Sequence, residues 1–153
     1  MIFADSGYFV ALSNTQDPYH QKASRIRDLL REGGWAVGMG DLLTVLPMAW
    51  EAADCVTRAV GSARGLECYR GIMNNCRVIV PDERLVLEAL EQTYRVYADV
   101  RSRKPGIIDS IGVAAMRRHG TPWVISFDSG FDLVPDIRRV RLEVDGTDYA
   151  LGL

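Results

Sequence analysis

Four carboxylic acids carry the chemistry that this sequence offers. Asp5 directly follows the apolar run Ile2-Phe3-Ala4. Glu51 lies one turn into a helical pattern that opens at Pro47. Asp109 precedes the small residues Gly112, Ala114 and Ala115, and Asp128 follows Trp123-Val124-Ile125-Ser126-Phe127. Carboxylates gathered at one place repel one another unless a cation offsets them. Oxygen donors with no His or Cys among them suit Mg²⁺ or Mn²⁺. An ion of that kind polarises a phosphate and lowers the pKa of water, which is the chemistry of phosphodiester hydrolysis. Each acid also has an ordinary structural reading. Asp5 can end a strand, Glu51 can be a solvated helix residue, Asp109 can be an N-cap, and Asp128 can begin a turn with Ser129 and Gly130. Taken separately, those readings do not explain why the elements bring all four to one rim.

The elements are short strands alternating with helices. Ile2-Phe3-Ala4 reads as a buried strand, and Ser6 as the cap of a helix through Ala11-Leu12. Asp17-Pro18 is a helix start, with Tyr19, Ala23, Ile26 and Leu30 on one apolar stripe and Gly33-Gly34 at the end. Leu42 to Leu46 is the second strand. Pro47 then opens a helix whose apolar face is Met48, Ala52, Cys55, Val56 and Ala59. After Gly61, Ser62 caps a helix to about Asn74, and Arg77 to Val80 is a third strand ended by Pro81. Asp82 caps a long helix with Val86, Leu90, Tyr94, Tyr97 and Val100 on its buried side. Asp109 opens a helix stopped by Gly120, Trp123-Val124-Ile125 is the fourth strand, and Val140-Arg141-Leu142 is an edge strand. Such alternation demands crossover connections and a parallel sheet. The expected architecture is a three-layer α/β/α sandwich with a mostly parallel central sheet. It forms a single domain over residues 1–153, with 145–153 as a tail. Ligands of open parallel sheets bind beyond the carboxyl ends of the strands, where all four acids fall.

Composition agrees. The chain has 153 residues, 48% of them hydrophobic and 25% charged, which is globular usage and excludes a disordered or fibrous protein. Its 18 basic and 20 acidic residues exclude a strongly basic nucleic-acid coat. No apolar stretch reaches the length of a membrane helix, and the Met1-Ile2-Phe3-Ala4-Asp5 start has no basic region of a secretory signal. Cys55, Cys68 and Cys76 form no CxxC pair, and reduced packing cysteines in a cytoplasmic protein are expected.

In this order, the acids and their surroundings resemble the PIN-domain ribonucleases, and among them the VapC-type toxins of bacterial toxin–antitoxin pairs. The resemblance runs over nearly the whole chain. Ile2-Phe3-Ala4-Asp5-Ser6-Gly7 is similar to the family's first strand with its Asp-Ser/Thr signature. Leu46-Pro47-Met48-Ala49-Trp50-Glu51 is similar to its second strand and acidic helix, and the stretch Ile108-Asp109-Ser110-Ile111-Gly112-Val113-Ala114-Ala115 to its third-acid helix. Thr121 to Phe131 is similar to the last motif, with the hydroxyl residue Ser126 two before Asp128 and Phe131 three after. The resemblance implies a PIN-like fold and an endoribonuclease dependent on Mg²⁺ or Mn²⁺ that acts on structured RNA such as tRNA or rRNA. It implies that Asp5, Glu51, Asp109 and Asp128 hold one or two ions and orient the attacking water, with Ser126 supporting them. It further implies a cognate antitoxin that fills the acidic groove, and a homodimer formed through the helices. Gly130 stands where many members carry another Asp, which makes Asp132 a candidate substitute. Ser126 replaces the more usual Thr, and the stretch from Gly33 to Gly40 and the tail after Glu143 are longer than usual.

Other residues divide between structure and chemistry. Arg58 shares a helix side with Glu51 and Asp54, which it is expected to neutralise, phosphate contact being the alternative. Arg101, Arg103 and Lys104 form a basic loop that is either solvated or an RNA-backbone contact. Arg117-Arg118-His119 suit the negative end of a helix, and Arg138, Arg139 and Arg141 suit an edge strand. His20 reads as a helix-surface residue, Phe9 as core, and Tyr8 as a residue able to stack on a base. Competing activities fit less well. An aspartyl phosphotransferase wants a second Asp two residues after the first, where Gly7 stands, and a receiver module wants an adjacent acid pair. A PIN domain used for binding only, or in RNA processing, remains open.

Overall fold

The computed structural model describes residues 1–33, 41–96, 105–145 and 148–152, without the side chains of 94–96, 143–145 and 148–152. Five strands form the central sheet: β1 (Ile2–Ala4), β2 (Leu42–Val45), β3 (Arg77–Ile79), β4 (Trp123–Ile125) and β5 (Arg138–Arg139). Their order is β3-β2-β1-β4-β5, and every pair is parallel. The helices are α1 (Ser6–Ser13), α2 (His20–Glu32), α3 (Leu46–Val60), α4 (Ser62–Asn75), α5 (Glu83–Val96) and α6 (Ile107–Arg118).

Alternation along the strands divides the core in two. Phe3, Leu43, Val45 and Val124 point to one face, where they meet Leu85 and Ala89 of α5 and the apolar side of α6. Ile2, Ala4 and Ile125 point to the other, against Phe9 of α1, Ile26 and Leu30 of α2, Val56 of α3 and Ile72 of α4. Two helical layers thus enclose one sheet, which is the expected three-layer sandwich. Thr44, buried inside it, donates its hydroxyl to the Ala4 carbonyl at 2.8 Å. Among the described residues no buried side-chain nitrogen or oxygen lacks a partner.

Several local expectations are corrected. Asp5, not Ser6, is the N-cap of α1, and Gly61, not Ser62, is that of α4. Gly61 takes φ +124°, which lets α4 fold back on α3. The Asp17-Pro18 pair does not start α2. Asp17 accepts the Tyr19 N–H at 2.8 Å in an Asx turn, and the helix begins at His20. Ala59 of α3 is exposed. Asp82 does cap α5, accepting the Leu85 N–H at 2.7 Å, but the buried stripe is Leu85 and Ala89 rather than Val86 and Leu90, one residue earlier than expected. Tyr94, Tyr97 and Val100 lie outside the described side chains. The second strand stops at Val45, because Leu46 is already helical, and the third stops at Ile79. The fifth sheet strand is Arg138–Arg139, not Val140–Leu142. Arg141 instead starts β6 (Arg141–Asp145), which pairs antiparallel with β7 (Asp148–Gly152). Most of the expected tail is therefore one strand of this hairpin.

Helix α6 lies close against the sheet because Gly112 has no side chain. A Cβ there would stand 2.8 Å from Met48 Cε and 3.0 Å from Phe3 Cζ. Gly71, inside α4, has nothing within 4 Å of the same point. Gly112→Val is therefore expected to destabilise the fold by roughly 1–3 kcal/mol through overpacking. Gly71→Ala should stabilise it by about 0.5–1 kcal/mol through helix propensity. Equilibrium urea unfolding of both variants checks the pair.

Candidate active site

Asp5 is placed by the end of β1. Its N–H donates to the Ile125 carbonyl at 3.1 Å, which continues the ladder with β4, and its carbonyl accepts the Tyr8 N–H at 3.1 Å as α1 begins. The side chain caps no backbone N–H of α1. It is buried, and its Oδ2 accepts the Ser126 hydroxyl at 2.7 Å while Oδ1 accepts the Ser6 hydroxyl at 3.3 Å. The Ser126 oxygen in turn accepts the Asp128 N–H at 3.0 Å. One hydroxyl thus links the acid after β1 to the acid after β4. Asp128 accepts the Gly130 N–H at 2.7 Å, so its carboxylate caps the short 3₁₀ turn Ser129–Leu133.

Asp109 is the third residue of α6 rather than its cap. Its Oδ2 accepts the Gly106 N–H at 2.8 Å, while the Ser110 N–H donates to the Gly106 carbonyl at 2.9 Å. This reciprocal arrangement closes the first turn and fixes the carboxylate. Glu51 comes from the second turn of α3. Asp5, Glu51, Asp109 and Asp128 line one cleft of about 400 Å³, together with Ser6, Val10, Tyr19 and Phe127. A larger cavity of about 540 Å³, among α1, α2 and α4, touches none of the four acids.

Burial and neighbouring charge raise the pKa of two of these groups, Asp5 and Asp109. Burial is the main influence raising the pKa of Asp5, the Ser126 and Ser6 hydrogen bonds oppose it, and the Glu51 charge adds to it. Asp109 is pushed up to about 7, first by burial and then by the charge of Asp5. The Gly106 hydrogen bond works against this, and Asp128 and Glu51 add to it. Negative charge is in excess, and the donors are carboxylate oxygens. In donor chemistry this set fits a hard divalent cation. Among the described residues, no three His, Cys, Asp or Glu side chains converge closely enough to ligate one ion as they stand.

No family model matches the chain, and no curated protein matches it. Among solved structures, it is similar to Mycobacterium tuberculosis VapC20, a sarcin–ricin loop cleaving toxin, with a TM-score of 0.73 at 20% sequence identity. The match covers 88% of this chain and 95% of that one. The fold is PIN-like. Within the PIN-like sheet, the four acids occupy the carboxyl-end rim where the sequence pattern sets them.

Not every candidate reaches the cleft. Asp132 binds the Arg139 guanidinium through both oxygens and stands 3.7 Å from Arg141, which holds its pKa below the usual carboxylate range. It does not line the cleft that holds the four acids. Arg58 pairs with Asp54 at 3.1 Å, in the neutralising role. Arg117 pairs with Asp136, and Arg118 with Asp82 and Glu88. Arg138 lies over the Trp123 ring at 5.7 Å. The His20 ring bonds the Ala11 carbonyl at 2.7 Å and ties α2 to α1. All three cysteines are free, and burial pushes the Cys76 thiol up to about 12, as suits a packing residue. Arg101, Arg103 and Lys104 lie outside the described residues. Tyr8 is fully buried and has no face for a base. The exposed aromatic residue of the cleft is Tyr19, which its helical spacing to Ala23 had assigned to the α2 stripe.

Asp109 also makes stability depend on pH. Its folded pKa of about 7 lies above the ordinary 3.8, so the folded state holds this proton more tightly than the unfolded state does. Stability at this site is greatest below about pH 4 and falls as pH rises towards about 7. Asp109→Asn, which still accepts the Gly106 N–H, is expected to raise the melting temperature at pH 8 in EDTA. The difference from the parent should shrink towards pH 4. Melting curves across that range check it.

Proposed function

We propose that the chain is a ribonuclease that hydrolyses RNA phosphodiester bonds with the help of Mg²⁺ or Mn²⁺. The observation that carries this reading is the convergence of Asp5, Glu51, Asp109 and Asp128 on one cleft of a PIN-like fold. These four carboxylates would hold the ion. When bound, the ion would polarise the phosphate and lower the pKa of water. The chain's own contribution is position and charge. Ser126 fixes the Asp5 carboxylate, and Gly106 fixes Asp109. The burial and the neighbouring charges that raise the pKa of Asp109 are what a bound cation would offset.

The wider reading is that of a toxin. A structured RNA, tRNA or rRNA, is the proposed substrate, and a cognate antitoxin covering the acidic cleft is the proposed inhibitor. VapC20, described as cleaving the sarcin–ricin loop, supports an RNA substrate of that class. We place the protein in the cytoplasm, as one domain over residues 1–153, and as a homodimer. Exposed Trp50 and Val60 on α3 and Leu66 on α4 offer apolar surface for the dimer. No helix among the described residues is long and apolar enough to cross a membrane. A second reading, a PIN-like domain that only binds or that acts in RNA processing, is favoured by the lack of three converging ligands among the described residues.

Metal titration and cleavage separate the readings. Mg²⁺ or Mn²⁺ should raise the melting temperature of the parent and not that of Asp5→Asn, since a ligand of the folded state alone stabilises it. Asp5→Asn should lose metal-dependent RNA cleavage while keeping its circular dichroism spectrum. Ser126→Ala should cleave roughly 10–100-fold more slowly, as expected for a residue that orients a metal-binding carboxylate. A parent protein with no metal shift and no cleavage would support the binding-only reading.

A further inference from the structure

An aromatic pair stands at the edge of the acidic cleft, and nothing in the hydrolytic chemistry requires it. The rings of Tyr19 and Phe127 stack with centroids 4.5 Å apart and planes 8° from parallel. Tyr19 comes from the turn before α2, and Phe127 is the residue between Ser126 and Asp128. Both line the cleft that holds the four acids. Tyr19 is 46% exposed, although burying so large a ring is normally favourable. Its backbone is fixed on both sides: the N–H donates to Asp17 Oδ1 at 2.8 Å, and the carbonyl accepts the Ala23 N–H at 2.8 Å. Lys22 brings a cation to the same place, with Nζ 6.0 Å from the centre of the Phe127 ring.

Flat, pre-ordered rings beside a cation are the usual means of holding single-stranded nucleic acid. Bases stack on the rings whatever their identity, and the cation meets the backbone. The position also matters for chemistry. Phe127 is one residue from Asp128, and Ser126, on its other side, donates to Asp5. A base held here would have its backbone beside the cleft that the four acids line. We propose that the Tyr19–Phe127 stack is a nucleobase platform that selects an unpaired RNA base and sets the adjoining phosphodiester in the acidic cleft, with Lys22 on the neighbouring phosphate. This rests on the ribonuclease reading above and deepens it: the substrate is an unpaired RNA segment, recognised by stacking rather than by base edges.

Binding and cleavage are to be measured on the full chain with a fluorescent hairpin RNA, its blunt duplex counterpart and a single-stranded oligomer. Binding is read by anisotropy in EDTA, cleavage in Mn²⁺. Tyr19→Ala is expected to weaken single-strand binding roughly 5- to 150-fold, the span of one base stack. Tyr19→Phe and Tyr19→Trp should retain affinity, and duplex binding should not change. In cleavage, Tyr19→Ala should raise KM more than it lowers kcat. An abasic site at the stacked nucleotide should weaken the parent by the same factor and weaken Tyr19→Ala no further. Lys22→Ala should lower affinity and flatten its salt dependence, which keeps the test decisive if Tyr19→Ala folds poorly. Unchanged single-strand affinity in Tyr19→Ala overturns the proposal and leaves the exposed ring to a protein partner. So does equal loss in Tyr19→Phe, or a parent that binds no single strand. If the parent binds but never cleaves with any divalent ion, the ribonuclease reading fails while the binding measurements still decide the platform.

Discussion

Burying a carboxylate among other carboxylates costs free energy, and Asp5 does so at the central strand of the sheet. The fold offsets this locally. Two hydroxyls donate to Asp5, and the stronger of the two contacts, from Ser126, is shared with the backbone of the next acid. The exchange works only where β1 and β4 are parallel neighbours, so that their carboxyl ends finish side by side. In an antiparallel pair, the two loops would leave from opposite ends and Ser126 would be out of reach. Parallel pairing of strands so distant in sequence needs the crossover helices, and those helices make the two cores. The polar contact at the rim and the apolar layers beneath it are therefore not independent features.

The same coupling governs α6. Its N-terminal turn carries Asp109, and its middle packs on the sheet through Gly112, against Met48 and Phe3. Phe3 and Met48 belong to β1 and α3, the elements that also carry Asp5 and Glu51. A residue that moved α6 outward would thus withdraw one acid from the other two. The charges of those acids raise the pKa of Asp109, after burial has done so first. Close packing therefore holds together a set of groups that electrostatics alone would drive apart.

Much of this was legible from the sequence, because strands buried on both faces are short continuous apolar runs that stop abruptly at a polar residue. Asp5 and the Ser126–Asp128 segment stand at such stops, and their placement followed directly. Helix faces were less legible. In α5, Leu85 and Val86, and Ala89 and Leu90, are adjacent apolar pairs, so the periodicity admits two stripes. Packing against α6 and the sheet buries the earlier one. Tyr19 has the right spacing for the α2 stripe, but the Asp17 side chain takes its N–H and holds it outside the helix. The two-residue strand β5 carries no pattern at all. Its Arg138 and Arg139 are defined by pairing with β4, and Arg139 by its ion pair with Asp132, neither of which a local reading contains.

Charge raises a last question, since a cleft floored by acids repels the phosphates it is proposed to cut. The chain has no general basic excess to overcome this, with 18 basic residues against 20 acidic ones. Many of its arginines are also already engaged with acids on its own surface, as Arg58, Arg118 and Arg139 are. Such paired guanidiniums contribute little field at a distance. Under the proposed function, attraction then has to come from cations bound in the cleft and from forces that do not depend on net charge. An aromatic stack at the cleft edge supplies a force of the second kind. It would let the acids remain dense enough to hold an ion without requiring the whole surface to be basic, and binding would be less sensitive to salt than in a protein that grips phosphates alone.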